Sequence, residues 1–224
     1  MMDLQQALIE RIHLGDRGGA NALLDAWALE SGYEHLLAEV LEPALLVIGE
    51  EWNSSETFTL AQVYVAAKVT EDLLGKIVAL RKIPSGGQPA KGPVLIGNIE
   101  EDFHALGRKM VGTFLRAEGW DVHDLGNDVP AALFVDKAQE ISARVIGVSA
   151  MMMTTACNIK RVREEIDQRG LTGRIQLAVG GAVFHVCPGL AEEVGGDGTA
   201  ANALGAGGLF ERLWEQSIGK ETGK

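Results

Sequence analysis

The chain is poor in cysteine, in basic charge and in long apolar runs, and each shortage removes a class of explanation. Two cysteines among 224 residues, Cys157 and Cys187, make neither a disulfide framework nor zinc-ligand spacing. That usage suits a reducing cytosol, with each thiol most simply a small core residue. The 20 Lys and Arg stand against 31 Asp and Glu, a formal net charge of -11. So acidic a chain offers no extended footprint for nucleic acid, which is not expected as a partner. No apolar stretch approaches the roughly 20 residues needed to cross a bilayer. Met1 to Leu14 mixes charges with its apolar residues and lacks the apolar core and small-residue cleavage site of a secretory signal. A cytoplasmic protein without a membrane partner is expected.

What is present is enough apolar residue, 46%, for one large domain or two modest ones. The break lies between Ile83 and Pro93, where three prolines and three glycines cannot propagate helix or strand. The expected division is a helical domain over 1–83, a linker over 84–92 and an α/β domain over 93–224. Before the linker, apolar residues recur at helical spacing near 3–13, 19–30, 34–50 and 59–81, which predicts a four-helix bundle. After it, the apolar runs Val94 to Ile96, Val145 to Val148 and Ile175 to Val179 alternate with amphipathic stretches, with a weaker strand from Asp121 to Leu125. That pattern predicts a doubly wound parallel sheet of the flavodoxin or Rossmann kind.

In such a sheet ligands bind beyond the carboxyl ends of the strands, so the residues that follow each apolar run carry the functional information. After the first comes Asp102-Phe103-His104-Ala105-Leu106-Gly107. An imidazole on a strand-to-helix loop can ligate a metal, and an aspartate two residues away can hold its second ring nitrogen. After the next comes Ser149-Ala150-Met151-Met152-Met153-Thr154-Thr155, whose hydroxyls suit a polar ligand group, although a helix cap explains Ser149 or Thr155 equally well. Gly180 and Gly181 follow the third run and admit close backbone approach, as would a plain tight turn. Asp197 and Gly198 sit where a last strand would deliver its loop.

Taken in order, Asp-x-His-x-x-Gly, Ser-x-Met and Gly-Gly at three strand ends resemble the cobalamin-binding domain that carries Asp-x-His-x-x-Gly, Ser-x-Leu and Gly-Gly. Leu125-Gly126-Asn127-Asp128-Val129-Pro130 is similar to the Leu-Gly-x-Asp-Val-Pro segment of that family. The helical half, with Val47-Ile48-Gly49-Glu50-Glu51-Trp52 and then Phe58 to Val63, resembles the cap that precedes this domain in methyltransferase-type corrinoid proteins. Met151 stands where leucine is usual, Ala105-Leu106 replaces a frequent Asp-Ile, and Glu100-Glu101 precede the motif where a small residue is often found.

The resemblance implies a cobalamin cofactor, as methylcobalamin or cob(I)alamin, bound base-off and His-on. His104 would be the lower axial ligand of the corrinoid cobalt. Asp102 would accept the proton on its other nitrogen, with Thr155 as the third member of the relay. Ser149, Met151 and Thr154 would line the cofactor, Gly107, Gly180 and Gly181 would let the nucleotide tail pass, and Asp197 and Gly198 would line the far end of its pocket. Trp52 and Gln62 would face the cofactor from the cap. The implied function is a corrinoid carrier that shuttles a methyl group between a substrate-specific methyltransferase and an acceptor methyltransferase, with a reductive activator as a third partner. It would be a corrinoid subunit of such a system and not a stand-alone enzyme. The alternative is a cobalamin-dependent sensor acting through a protein partner; photoreceptors of this type follow the tryptophan, ten residues on, with Glu-His, where this chain has Gln62-Val63.

Overall fold

The computed structural model describes residues 2–54, 59–80 and 91–219, and the chain divides into two compact units, 1–83 and 84–224. Most of the expected linker lies outside the described residues, as do Phe58 and the side chain of Trp52. In the first unit the helical periodicity gives α1 (Met2–His13), α2 (Arg17–Ser31), α3 (Tyr33–Leu36), α4 (Glu42–Ser54) and α5 (Leu60–Leu80). A π-helical turn, Leu37–Leu41, joins α3 to α4 without a break, so the described residues form four helical segments. Leu8, Ile12, Leu24, Leu37, Leu41, Leu73 and Ile77 are buried, one apolar stripe from each segment, as a bundle requires. The Asp16 carboxylate starts α2 by accepting from the Gly19 N–H at 2.7 Å, and Arg17 ties α2 to α5 through a forked pair of bonds to Asp72 at 2.6 and 2.7 Å.

The second unit runs β1 (Pro93–Asn98), α6 (Ala105–Ala117), β2 (Asp121–Asp124), α7 (Ala131–Glu140), β3 (Val145–Ser149), α8 (Met153–Ala156), α9 (Ile159–Gln168), β4 (Gln176–Gly180), α10 (Ala182–Val186), α11 (Leu190–Glu193), β5 (Gly198–Thr199) and α12 (Ala206–Gly219). Its five strands are all parallel in the order β2-β1-β3-β4-β5, the doubly wound arrangement of the flavodoxin type. Strands β1, β3 and β4 are apolar on both faces because both faces are covered. Leu95, Ile146, Val148, Leu177 and Val179 pack with Phe134 and Val135 of α7 and Val162 and Ile166 of α9. The alternate residues Val94, Ile96, Val145 and Ala178 pack with Leu115 of α6 and Leu209, Phe210 and Leu213 of α12. Period two thus sends neighbouring residues into two separate cores.

Two glycines let those cores close on the sheet. A Cβ on Gly97 would stand 2.7 Å from Phe134 Cε1, and one on Gly147 would stand 2.8 Å from Phe210 Cζ. The large rings therefore occupy space that any other residue in β1 or β3 would take. The register aligns Asn98 with Ser149 and Ser149 with Gly180, so the last residues of β1, β3 and β4 form one row along the carboxyl edge.

Candidate functional site

At that edge the loop after β1 is fastened on both sides. Ile99 N–H donates to Ser149 O at 3.1 Å, and Val129 N–H donates to Asn98 O at 3.0 Å. Glu101 (φ 68°) and Asp128 (φ 56°) both adopt left-handed backbone, an uncommon conformation for residues with a Cβ. They support one another: Glu101 N–H donates to Asp128 Oδ1 at 2.8 Å, and Asp128 N–H donates to Asp102 O at 3.2 Å. The result turns the Asp102 side chain inward and leaves His104 at the surface.

Asp102 is completely buried and its carboxylate is saturated with donors. Oδ1 accepts from Asn98 Nδ2 at 2.8 Å and from the His104 main-chain N–H at 2.9 Å. Oδ2 accepts from the Met151 N–H at 2.7 Å and from Thr155 Oγ1 at 3.0 Å. Burial pushes this carboxyl up, but the hydrogen bonds from Met151, His104, Asn98 and Thr155 together outweigh it and hold it below the ordinary carboxylate value. The group is a fixed anion tied to β1, to its own loop and to the segment after β3. His104 Nδ1 lies 3.4 Å from Asp102 Oδ1, an ion-pair distance longer than a well-formed hydrogen bond. The imidazole is 46% exposed, so with Nδ1 turned to the carboxylate its Nε2 is the atom presented outward.

The loop after β3 crosses close by. Ala150 N–H donates to Gly180 O at 2.9 Å, and Gly181 (φ 118°) packs so tightly on it that a Cβ there would lie 2.0 Å from Ala150 O. Gly181 is thus required by the packing of two main chains. Beside Gly107 and Gly180, by contrast, no atom lies within 4 Å of where a Cβ would stand, and their missing side chains leave open surface along the edge. Ser149 is half-buried at the end of β3, while Met151 and Thr154 are exposed.

An anionic aspartate holding an outward-facing imidazole on a strand-to-helix loop, with open glycines at the neighbouring strand ends, is the arrangement expected for a corrinoid site. Residues 92–206 match the family model described as the B12 binding domain. The chain belongs to this B12-binding family. It is 34% identical over 175 residues to a dimethylamine corrinoid protein of Methanosarcina barkeri, covering 75% of this chain and 79% of that one. It is 39% identical over 171 residues to dimethylamine corrinoid protein 2 of Methanosarcina mazei, covering 74% and 78%. The solved structure of the Methanosarcina barkeri monomethylamine corrinoid protein shares its fold, with a TM-score of 0.78 at 24% identity over 95% of this chain and 99% of that one.

The residues of this B12-binding domain fit the cofactor of its family. Among the described residues no group of three or more His, Cys, Asp or Glu is gathered to hold a bare ion, and His104 could offer one nitrogen to a cobalt already held by a macrocycle. Of the residues expected at the site, the edge brings together Asp102, His104, Gly107, Ser149, Met151, Thr154, Thr155, Gly180 and Gly181. Met151 acts on Asp102 through its main-chain N–H, not its side chain.

Asp197 and Gly198 are not brought there. Asp197 is level with Leu177: its Oδ2 accepts from the Leu177 N–H at 2.6 Å and also from Arg163 Nη2. A parallel strand rises about 3.3 Å per residue, which leaves Asp197 about 10 Å short of the carboxyl edge at Gly180. Gly198 lies within β5, where a Cβ would meet Leu209 Cδ1 at 2.8 Å. The loop that leaves the carboxyl end of β5 is 200–205. In the helical unit Gln62 has its amide engaged: Oε1 accepts from Thr59 N–H and Oγ1 at 2.6 and 2.9 Å, and Nε2 donates to His13 O at 2.8 Å. It caps α5 and ties it to the end of α1. Trp52 lies in α4.

Sequence reasoning passed over Asn98 and Arg108, which stand behind Asp102. Asn98 is the one polar side chain in the apolar run of β1, and an amide in a buried strand needs a partner. That was the signal available for it. Arg108 follows Gly107 directly and is only 7% exposed, a burial that charge alone would not suggest.

Proposed function

We propose that the chain is a corrinoid carrier that receives a methyl group from a substrate-specific methyltransferase and presents it to an acceptor methyltransferase. Bound cobalamin supplies the chemistry, because its cobalt can take up a methyl group and give it away again. The chain would supply a nitrogen ligand, His104, and the means to adjust it. Asp102, pinned by four hydrogen bonds, faces the Nδ1 side of the His104 ring and favours the proton there, which would leave the Nε2 lone pair to ligate. Gly107 and Gly180 would leave room for the nucleotide tail along the carboxyl edge beside Ser149, and Gly181 would keep the loop after β3 packed against that edge.

The observation that carries this reading is the pairing of a buried, donor-saturated Asp102 with an exposed His104 two residues on. Two curated relatives are named for dimethylamine, and a methylamine is the donor class to test first. A reductive activator would complete the set of partners. Reconstitution with hydroxocobalamin tests the ligand: His104→Ala loses the absorption features of a protein nitrogen on cobalt while the apo fold is retained. An unchanged spectrum in that variant would refute the assignment. Failure of the reduced, loaded protein to accept a methyl group from any methylamine with its methyltransferase would remove the proposed donor class.

A further inference from the structure

The two oxygens of Asp102 are not equally occupied. Oδ2 has two donors, both at ordinary hydrogen-bond distance. Oδ1 faces three: Asn98 Nδ2 at 2.8 Å, the His104 main-chain N–H at 2.9 Å and the His104 ring Nδ1 at 3.4 Å. A carboxylate oxygen has about two lone-pair directions, so the ring nitrogen meets an oxygen that is already taken. Its long distance is the consequence.

Asn98 is held in this competing position from behind. Its side chain is fully buried, its Oδ1 accepts from Arg108 Nη1 at 2.7 Å, and its Nδ2 reaches the His104 carbonyl at 3.1 Å as well as Asp102. The Arg108 guanidinium is itself anchored: Nη1 also donates to Asn127 Oδ1. Nε stands 2.8 Å from Asp124 Oδ1, an ion-pair contact off the N–H direction. A cation on the carbonyl of an amide polarises it and makes its N–H the stronger donor, the more so where the surroundings are dry.

We infer that Asn98, polarised by Arg108, competes with the His104 ring for Asp102 Oδ1 and so sets how loosely the imidazole is held and how readily it leaves a metal. Both side chains are buried; they are positioning residues, acting through Asp102. The consequence for function rests on reading His104 as the axial ligand, but the competition itself is a property of the chain without cofactor.

The test uses the full chain with 15N-labelled histidine, the His104 ring signals being assigned by their loss in His104→Ala. Asn98→Ala removes the competitor, and Arg108→Met removes its polarising cation while leaving Asn98 in place. Each is expected to raise the ratio of Nδ1-protonated to Nε2-protonated His104 ring in the cofactor-free chain. Loaded with methylcobalamin, the same variants are expected to raise the ratio of nitrogen-ligated to unligated cobalt, read from the visible spectrum, by roughly three- to tenfold, the worth of one hydrogen bond. Arg108→Lys keeps the charge and is expected to return both ratios toward the parent values. If Asn98→Ala does not fold, Arg108→Met decides alone, its fold checked by circular dichroism. A tautomer ratio that stays the same or falls in the folded variants overturns the inference. If the parent protein shows no nitrogen ligation by His104, the ligand reading falls, and the tautomer measurement still decides the competition.

Discussion

Thr155 and Asp102, 53 residues apart in sequence, meet through a hydrogen bond of 3.0 Å from Thr155 Oγ1 to Asp102 Oδ2. The same hydroxyl lies 3.0 Å from Met152 O, so a single rotor links the loop after β1 to the first turn of α8. Both side chains are buried, and a buried hydrogen bond to a carboxylate contributes about 1.5–3 kcal/mol. Thr155→Ala is therefore expected to lower unfolding stability by about that amount, with Thr155→Ser keeping most of it. Urea denaturation of the three proteins at neutral pH checks both values.

Asp102 also makes stability depend on pH. Its folded pKa lies below the ordinary 3.8, so the fold favours the charged form. The stability this confers is complete above the unfolded value and is lost as pH falls through the folded one. Between about pH 5 and pH 2 the parent protein is expected to lose stability more steeply than Asp102→Asn, although the variant starts lower. Equal slopes in denaturation curves across that range would show that Asp102 is not the linked group.

Gly180 and Gly181 are adjacent but answer to different constraints. Alanine at Gly181 meets the Ala150 carbonyl at 2.0 Å with φ at 118°, and is expected to cost about 3 kcal/mol or more in thermal or urea unfolding, beyond the usual range for one substitution. Alanine at Gly180 meets nothing within 4 Å and is expected to leave stability within about 0.5 kcal/mol. A methyl group on that open edge is expected to weaken cobalamin binding, measured by equilibrium dialysis with hydroxocobalamin. Unchanged affinity there would take the nucleotide tail away from Gly180.

The placement of Asp197 has an equally direct consequence. Asp197→Ala removes the acceptor for Leu177 N–H and the partner of Arg163, and is expected to lower stability by about 1–2 kcal/mol. Its hydroxocobalamin affinity should stay within about twofold of the parent. A large loss of affinity with intact stability would return Asp197 to the cofactor pocket.

The helices of the first unit and the apolar strands of the second were legible because periodicity is a local property, written in three or four residues at a time. So was the loop after β1: Asp102 and His104 are two residues apart, and the turn that separates them needs only its own neighbours. The error at Asp197 has a physical cause. β5 is two residues long, too short for an apolar run to mark its ends, so the sequence does not distinguish the loop before the strand from the one after it. The partners of Gln62 are illegible for a similar reason, since they depend on the fold that brings it to the His13 carbonyl, 49 residues upstream.

What the sequence determined by itself was the alternation of elements and the placing of Asp102 and His104 together on a strand-to-helix loop. What only the tertiary structure decided was the state of Asp102. Its donors come from β1, from its own loop and from the segment after β3, and no spacing rule relates Asn98, Met151 and Thr155. Parallel register alone brings those strand ends level, and burial then makes every donor count, turning an aspartate beside a histidine into a fixed anion that is shared between the imidazole and the interior.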